Sequence, residues 1–181
     1  MKALLDACVL YPSVMRQMLL GAAAEGLYTP LWSARILEEW ARATRKLGPE
    51  AETLARGEVA LARTAFPRAE VAQWEGAARR LYLSDENDIH VLAAAVTGGA
   101  DLIVTMNARD FPRHVLAEEG LMRADPDGFL WRLWSDHPDA LAHVAAQVQT
   151  EAERLSGEAW PIRRLMKKAR LPRLGKALDG L

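Results

Sequence analysis

Apolar and polar positions alternate between two kinds of pattern along the first two thirds of the chain. The opening Leu4-Leu5 reads as a short strand that runs directly into Asp6, and Pro12 and Ser13 open a helix to about Glu25. Gly26 stands where a helix commonly stops in the left-handed conformation. Leu27 to Leu31 reads as another short strand, and Ser33 as the N-cap of a helix ending near Gly48. Alanine-rich helical stretches are predicted over about 49–65 and 68–79, the second opening after Pro67. Asn87 to Thr97 is helical and strongly apolar, closed by Gly98-Gly99. Leu102-Ile103-Val104 is aliphatic without alternation, the pattern of a strand buried on both faces. A short helix over 113–118 then leads through Gly120 to a weaker strand near 121–124.

Strands that alternate with helices argue a parallel sheet of about four to five strands with helices on both faces, a three-layer α/β/α arrangement. From Asp125 onward the pattern is helical only, over roughly 126–134, 137–155 and 161–170. The expected organisation is an α/β domain over 1–125 and a helical extension over 126–181, packed on that domain or on a partner, because 55 residues alone make a marginal core.

Composition narrows the class. Half of the 181 residues are apolar, so the chain can bury a core, and no uninterrupted apolar run approaches the eighteen or so residues of a membrane span. The apolar opening is too short for a signal peptide, and the single cysteine, Cys8, makes neither an internal disulfide nor a cysteine-based zinc site. A cytoplasmic protein is the expectation. Charge is balanced overall, 23 basic against 24 acidic residues, but residues 161–181 carry +6 and the remainder −7. A basic tail can bind phosphates, or can be no more than a solvated helix end; an acidic body suits carboxylates that converge on a metal.

Candidate chemistry lies in carboxylates at the ends of elements, since ligands of open parallel sheets bind beyond the carboxyl ends of the strands. Asp6 should stand at that edge, with a helix N-cap as its plain alternative. In the helix 34–47 the apolar face is read as Ile36, Leu37, Trp40 and Ala43; Glu39 borders it, whereas Glu38 falls outward with Arg42 one turn on. Ser84-Asp85-Glu86-Asn87-Asp88 crowds polar groups into the first turn of an apolar helix, Asp85 or Asn87 serving as cap and Asp88 projecting from the helix start. His90 is read as a hydrogen-bonded helix-start histidine without a catalytic role. Thr105, Asn107 and Asp110 leave a buried strand and carry oxygens suited to a hard cation, or to capping a turn.

Together these residues resemble the PIN-domain family of metal-dependent ribonucleases. The resemblance rests on Leu4-Leu5-Asp6, on Ile36-Leu37-Glu38-Glu39-Trp40, on Asn87-Asp88-Ile89-His90-Val91-Leu92-Ala93-Ala94-Ala95, on Gly98-Gly99-Ala100-Asp101-Leu102-Ile103-Val104-Thr105-Met106-Asn107 and on Asp110-Phe111-Pro112. It covers residues 1–125 and is closest in flavour to the VapC-like toxins, which are encoded beside a small inhibitory antitoxin. It implies that Asp6 and Asp88 hold Mg²⁺ or Mn²⁺, that Glu39 orients or activates the attacking water, and that Thr105, Asn107 and Asp110 contact substrate or orient the ligands. Where the family often has a further acid two residues after the strand-end threonine, this chain has Asn107, with Asp110 three residues on.

The chemistry fits, because a carboxylate-held divalent ion can activate water near neutral pH and compensate charge on a phosphodiester. The resemblance thus implies an endoribonuclease acting on RNA, a cognate antitoxin and a homodimer. Two other readings stand beside it. One is a PIN-fold module that binds RNA or protein without cutting. The other is an unrelated phosphohydrolase with Asp6 as nucleophile, weakened by the cysteine at position 8 and by the lack of a phosphate-cradling glycine loop.

Overall fold

The computed structural model describes residues 1–72, 76 and 80–180. The chain divides into two compact units, residues 1–11 with 28–124, and residues 12–27 with 125–181.

The first unit is built on five parallel strands, β1 Lys2–Leu5, β2 Thr29–Ser33, β3 Glu70–Val71, β4 Leu102–Val104 and β5 Met122–Ala124, in the order β3-β2-β1-β4-β5. The middle of the sheet is apolar. Leu4 pairs with both Leu31 and Ile103, and Leu4, Leu5, Ile103 and Val104 are fully buried. The helices of this unit are α1 Ala7–Leu10, α3 Ala34–Ala43, α4 Ala51–Ala65, α5 Ile89–Gly98 and α6 Arg113–Glu118; α2 Ser13–Ala24 belongs to the other unit. Together they give the three-layer α/β/α fold.

Most elements follow from local signals. Ser33 ends β2 and caps α3, its hydroxyl accepting the Ile36 N–H at 3.2 Å. Gly99 closes α5 in the left-handed conformation (φ 61°), which a glycine adopts without strain. A side chain at the neighbouring Gly98 would stand 2.8 Å from Val71 and 3.0 Å from Leu31, so α5 approaches β2 and β3 closely because position 98 has no Cβ.

Four expectations need correction. The helix predicted over 68–79 does not begin after Pro67: Glu70 and Val71 pair with Trp32 and Ser33 as the edge strand β3, and residues 73–75 and 77–79 lie outside the described residues. The strand read as 27–31 is shifted to Thr29–Ser33. The helix over 34–47 tightens at Thr44–Leu47 into a 3-10 turn, and its apolar face uses Ala41, since Ala43 is exposed. The last predicted helix, 161–170, gives way to two helices, Ile162–Lys168 and Pro172–Leu178.

The second unit is helical: α2, α7 Pro126–Asp136, α8 Pro138–Ser156, α9 Ile162–Lys168 and α10 Pro172–Leu178. It therefore takes in α2, from the stretch that sequence assigns to the α/β domain. Gly21 on α2 lies so close to Val144 on α8 that a Cβ there would be 2.5 Å away, and α9 and α10 meet through Gly175 against Met166. Between them Arg170 adopts a left-handed φ of 62°, and Pro172 starts α10 where a proline fits the first turn.

Candidate metal centre

Because all five strands run the same way, the ends of β1 and β4 lie side by side at one sheet edge. The Asp6 N–H donates to the Val104 carbonyl (3.2 Å), and the Thr105 N–H donates to the Ala124 carbonyl (3.1 Å). Asp6 is only 7% exposed. It occupies the N-cap position of α1, yet its carboxylate makes no cap hydrogen bond. Instead the Thr105 hydroxyl donates to Asp6 Oδ2 at 2.7 Å and the Cys8 thiol donates to the same oxygen at 3.0 Å. Among the described residues Oδ1 takes no hydrogen bond.

Asp88 is placed differently: it ends a 3-10 turn, Glu86–Asp88, that runs directly into α5, and its carboxylate makes no capping bond. The capping of this turn is done upstream by Asp85, whose Oδ1 accepts the Asn87 N–H at 2.9 Å and the Asn87 side-chain amide at 3.0 Å. An aspartate at an N-cap that withholds its carboxylate forgoes about 1 kcal/mol of helix stabilisation. Asp6 does so, in contrast to Asp125, which caps α7 by accepting the Gly128 N–H at 2.8 Å.

Carboxylate oxygens of Asp85, Asp88 and Asp110 all lie within 4.8 Å of one another. Burial, the charges of Asp6, Asp110 and Asp85, and a hydrogen bond with Asp110 push the Asp88 carboxyl up to about 6. Mutual repulsion is therefore present, though burial is the largest cause. Asp110 is held by its own turn: its N–H donates to the Asn107 carbonyl (3.3 Å), and the Asn107 side-chain amide donates to Asp110 Oδ2. Asn107 in turn is fixed by its backbone N–H on Thr105 Oγ1 at 2.9 Å. The asparagine thus acts as a bracket that places Asp110.

Like Asp6, Glu39 stands outside that trio. Its Oε1 lies 3.0 Å from His90 Nε2 and accepts from Arg35 Nε at 3.0 Å. Burial raises its carboxyl, but the hydrogen bonds and charges of His90 and Arg35 outweigh burial and hold it below the usual range. Burial, with repulsion from neighbouring acids added to it, thus raises Asp88, whereas cationic partners lower Glu39. His90 is 8% exposed, and it is hydrogen-bonded at the helix start as the sequence suggests. Arg35 also reaches the Asn87 carbonyl (3.5 Å), so α3 is tied to the loop that carries Asp88. Glu38 points elsewhere: Arg42 and Arg56 donate to it at 2.6 and 2.8 Å, and these partners hold its carboxyl down at about 2.

Sequence reasoning misses two participants. It reads Asp85 only as a cap, whereas Asp85 is both cap and neighbour of Asp88. It weighs Cys8 only as a disulfide or zinc residue; in the fold its thiol links Asp6 to the Met106 N–H, which donates to Cys8 Sγ at 3.3 Å. Burial and the Asp6 charge push that thiol up to about 12, so it stays a protonated donor. Its one sequence signal is its place two residues after Asp6.

Compared with known families, residues 2–109 match the PIN domain, well over half of the chain. The chain belongs to the PIN-domain family. Comparisons with curated proteins and with solved structures return no significant match. As a PIN domain the chain has a nuclease fold, and its carboxylate cluster has the hard oxygen donors that divalent cations take. Among the described residues no helix is long and apolar enough to cross a membrane.

Proposed function

We propose that the chain is a Mg²⁺- or Mn²⁺-dependent endoribonuclease and the toxin of a toxin–antitoxin pair. The observation that carries the reading is the carboxylate cluster of Asp85, Asp88 and Asp110, with the buried Asp6 close enough for its charge to raise the Asp88 carboxyl. Asp6 and Asp88 would hold the ion, with Asp110 in place of the acid absent at Asn107. When bound, the ion supplies Lewis acidity that compensates charge on a phosphodiester and yields a nucleophile near neutral pH.

The remaining roles fall to the protein. Thr105 and Cys8 fix the Asp6 carboxylate through Oδ2. Asn107 sets the position of Asp110. Glu39, kept ionised by Arg35 and His90, is suited to orient a water or accept its proton. RNA as substrate, a homodimer and an antitoxin that covers the acidic site follow from the family resemblance. A guanidinium from such a partner matches paired carboxylates and would compete with the metal.

The test is cleavage of a mixed single-stranded RNA by the purified chain with Mg²⁺, with chelator, and by Asp6→Asn and Asp88→Asn. Cleavage that needs the ion and both aspartates supports the reading. Unchanged cleavage by either variant, or none by the wild type with either metal, removes it in favour of a binding module.

A further inference from the structure

The basic end of the sequence is not a frayed tail. It forms α9 and α10, whose apolar residues Leu165, Met166, Leu174 and Leu178 are buried together with Leu171 between them. The helices close on one another at Gly175, where a Cβ would meet Met166 at 2.7 Å. Their cations are consequently displayed outward from a fixed frame. Arg163, Arg164, Lys167, Lys168, Arg173 and Lys176 are all exposed.

Two features of this display work against the fold. Arg163 and Arg164 occupy the first turn of α9, where the helix dipole disfavours positive charge and no acid accompanies them. Arg163 with Lys167 and Arg164 with Lys168 are like charges one turn apart, which repel. The acids of the same unit do little to relieve this. Asp179 pairs with Arg163, at 3.4 Å. Asp127 accepts the Arg173 and Leu174 backbone N–H groups at 2.9 and 3.0 Å, and Glu153 accepts the Trp160 N–H at 2.9 Å. Among the described residues Arg164, Lys167, Lys168, Arg173 and Lys176 form no ion pair.

Indole rings hold several of these cations in place. Lys168 Nζ lies 4.4 Å and the Arg164 guanidinium 5.2 Å from the Trp160 ring centre, and Arg173 stacks 3.4 Å from that of Trp131. Trp160 is itself anchored, its Nε1–H donating to Ser156 Oγ at 2.9 Å. Ordering long cationic side chains before a ligand arrives lowers the entropy lost on binding.

We propose that the α9–α10 face binds the phosphate backbone of single-stranded RNA. The choice of RNA among polyanions rests on the ribonuclease reading; the half-buried indoles beside the cations also offer rings on which bases can stack. A membrane surface is disfavoured because the apolar residues of both helices face inward, which leaves no apolar face to enter a bilayer.

The test is fluorescence anisotropy of labelled oligouridylate in chelator, so that binding is read without cleavage. Arg164→Glu with Lys168→Glu should weaken binding at least ten-fold and reduce the slope of log affinity against log salt by about two. Arg164→Gln with Lys168→Gln deletes the charges without reversing them, which keeps the test decisive where the reversal disturbs folding; it should weaken binding several-fold. Arg42→Glu with Arg63→Glu, a matched change in the other unit, should leave it within about two-fold. Equal affinity for all variants overturns the proposal, as does tighter binding to polyglutamate or to vesicles of phosphatidylcholine and phosphatidylserine. A chain that cuts RNA yet binds it independently of Arg164 and Lys168 loses this site and keeps the nuclease; one that binds here and cuts nothing keeps the site and loses the nuclease.

Discussion

Asp88 is the residue on which the electrostatics of the site turn. Its folded pKa of about 6 lies above the ordinary 3.8, so the folded state holds this proton more tightly than the unfolded chain. The stabilisation is complete below about pH 4 and is lost as pH rises through 6. Asp88→Asn should accordingly raise the melting temperature in chelator at pH 7.5 and change it little at pH 4.5, while abolishing any rise caused by Mn²⁺. A fall at pH 7.5 would show that burial and repulsion do not destabilise the ionised carboxylate. The two adjacent glutamates are about equally exposed, 37% for Glu39 and 35% for Glu38, and differ in their partners. Glu39→Gln removes a charge held by Arg35 and His90 and should lower cleavage about ten- to a hundred-fold. Glu38→Gln breaks surface pairs with Arg42 and Arg56 and should leave the rate within about two-fold. Equal losses in a steady-state assay would overturn the assignment.

At the scale of elements, what is legible in the sequence is what local physics decides. The aliphatic run Leu102–Val104 fits only a buried strand, Ser33 caps α3 as its position suggests, and Gly99 ends α5. Ser33→Ala should cost about 1 kcal/mol, because its hydroxyl does the capping that Asp6 does not; a chemical-denaturation midpoint unchanged by this substitution would contradict that role. The misses are elements defined by partners distant in sequence. β3 has two residues, one of them charged, and exists only because β2 offers it hydrogen bonds, with Trp32 N–H donating to the neighbouring Ala69 carbonyl. α10 does have a signal, Pro172, which reads as a first-turn proline once the chain is seen to turn at Arg170. The site divides likewise. Asp6, Asp88 and Asp110 are visible as acids at element ends, whereas the Cys8–Asp6–Thr105 link joins positions 97 to 99 apart and the Glu39–His90 pair joins two helices. No local pattern encodes those pairings.

At the scale of the whole molecule, one chain carries two units, an α/β unit that holds most of the PIN match and a bundle of helices with a cationic face. The proposed homodimer should give about twice the 20.0 kDa chain mass in light scattering at micromolar concentration; a strict monomer would contradict it. A toxin should arrest growth when expressed alone and be relieved by the neighbouring gene product, and harmless expression would count against that role. The central claim is that Asp6 and Asp88 together hold a divalent ion. Isothermal titration of Mn²⁺ into the wild type, Asp6→Asn and Asp88→Asn at pH 7.5 tests it most directly. Saturable binding is expected for the wild type, weakened at least ten-fold by each substitution. Wild-type affinity retained by either variant would contradict the claim.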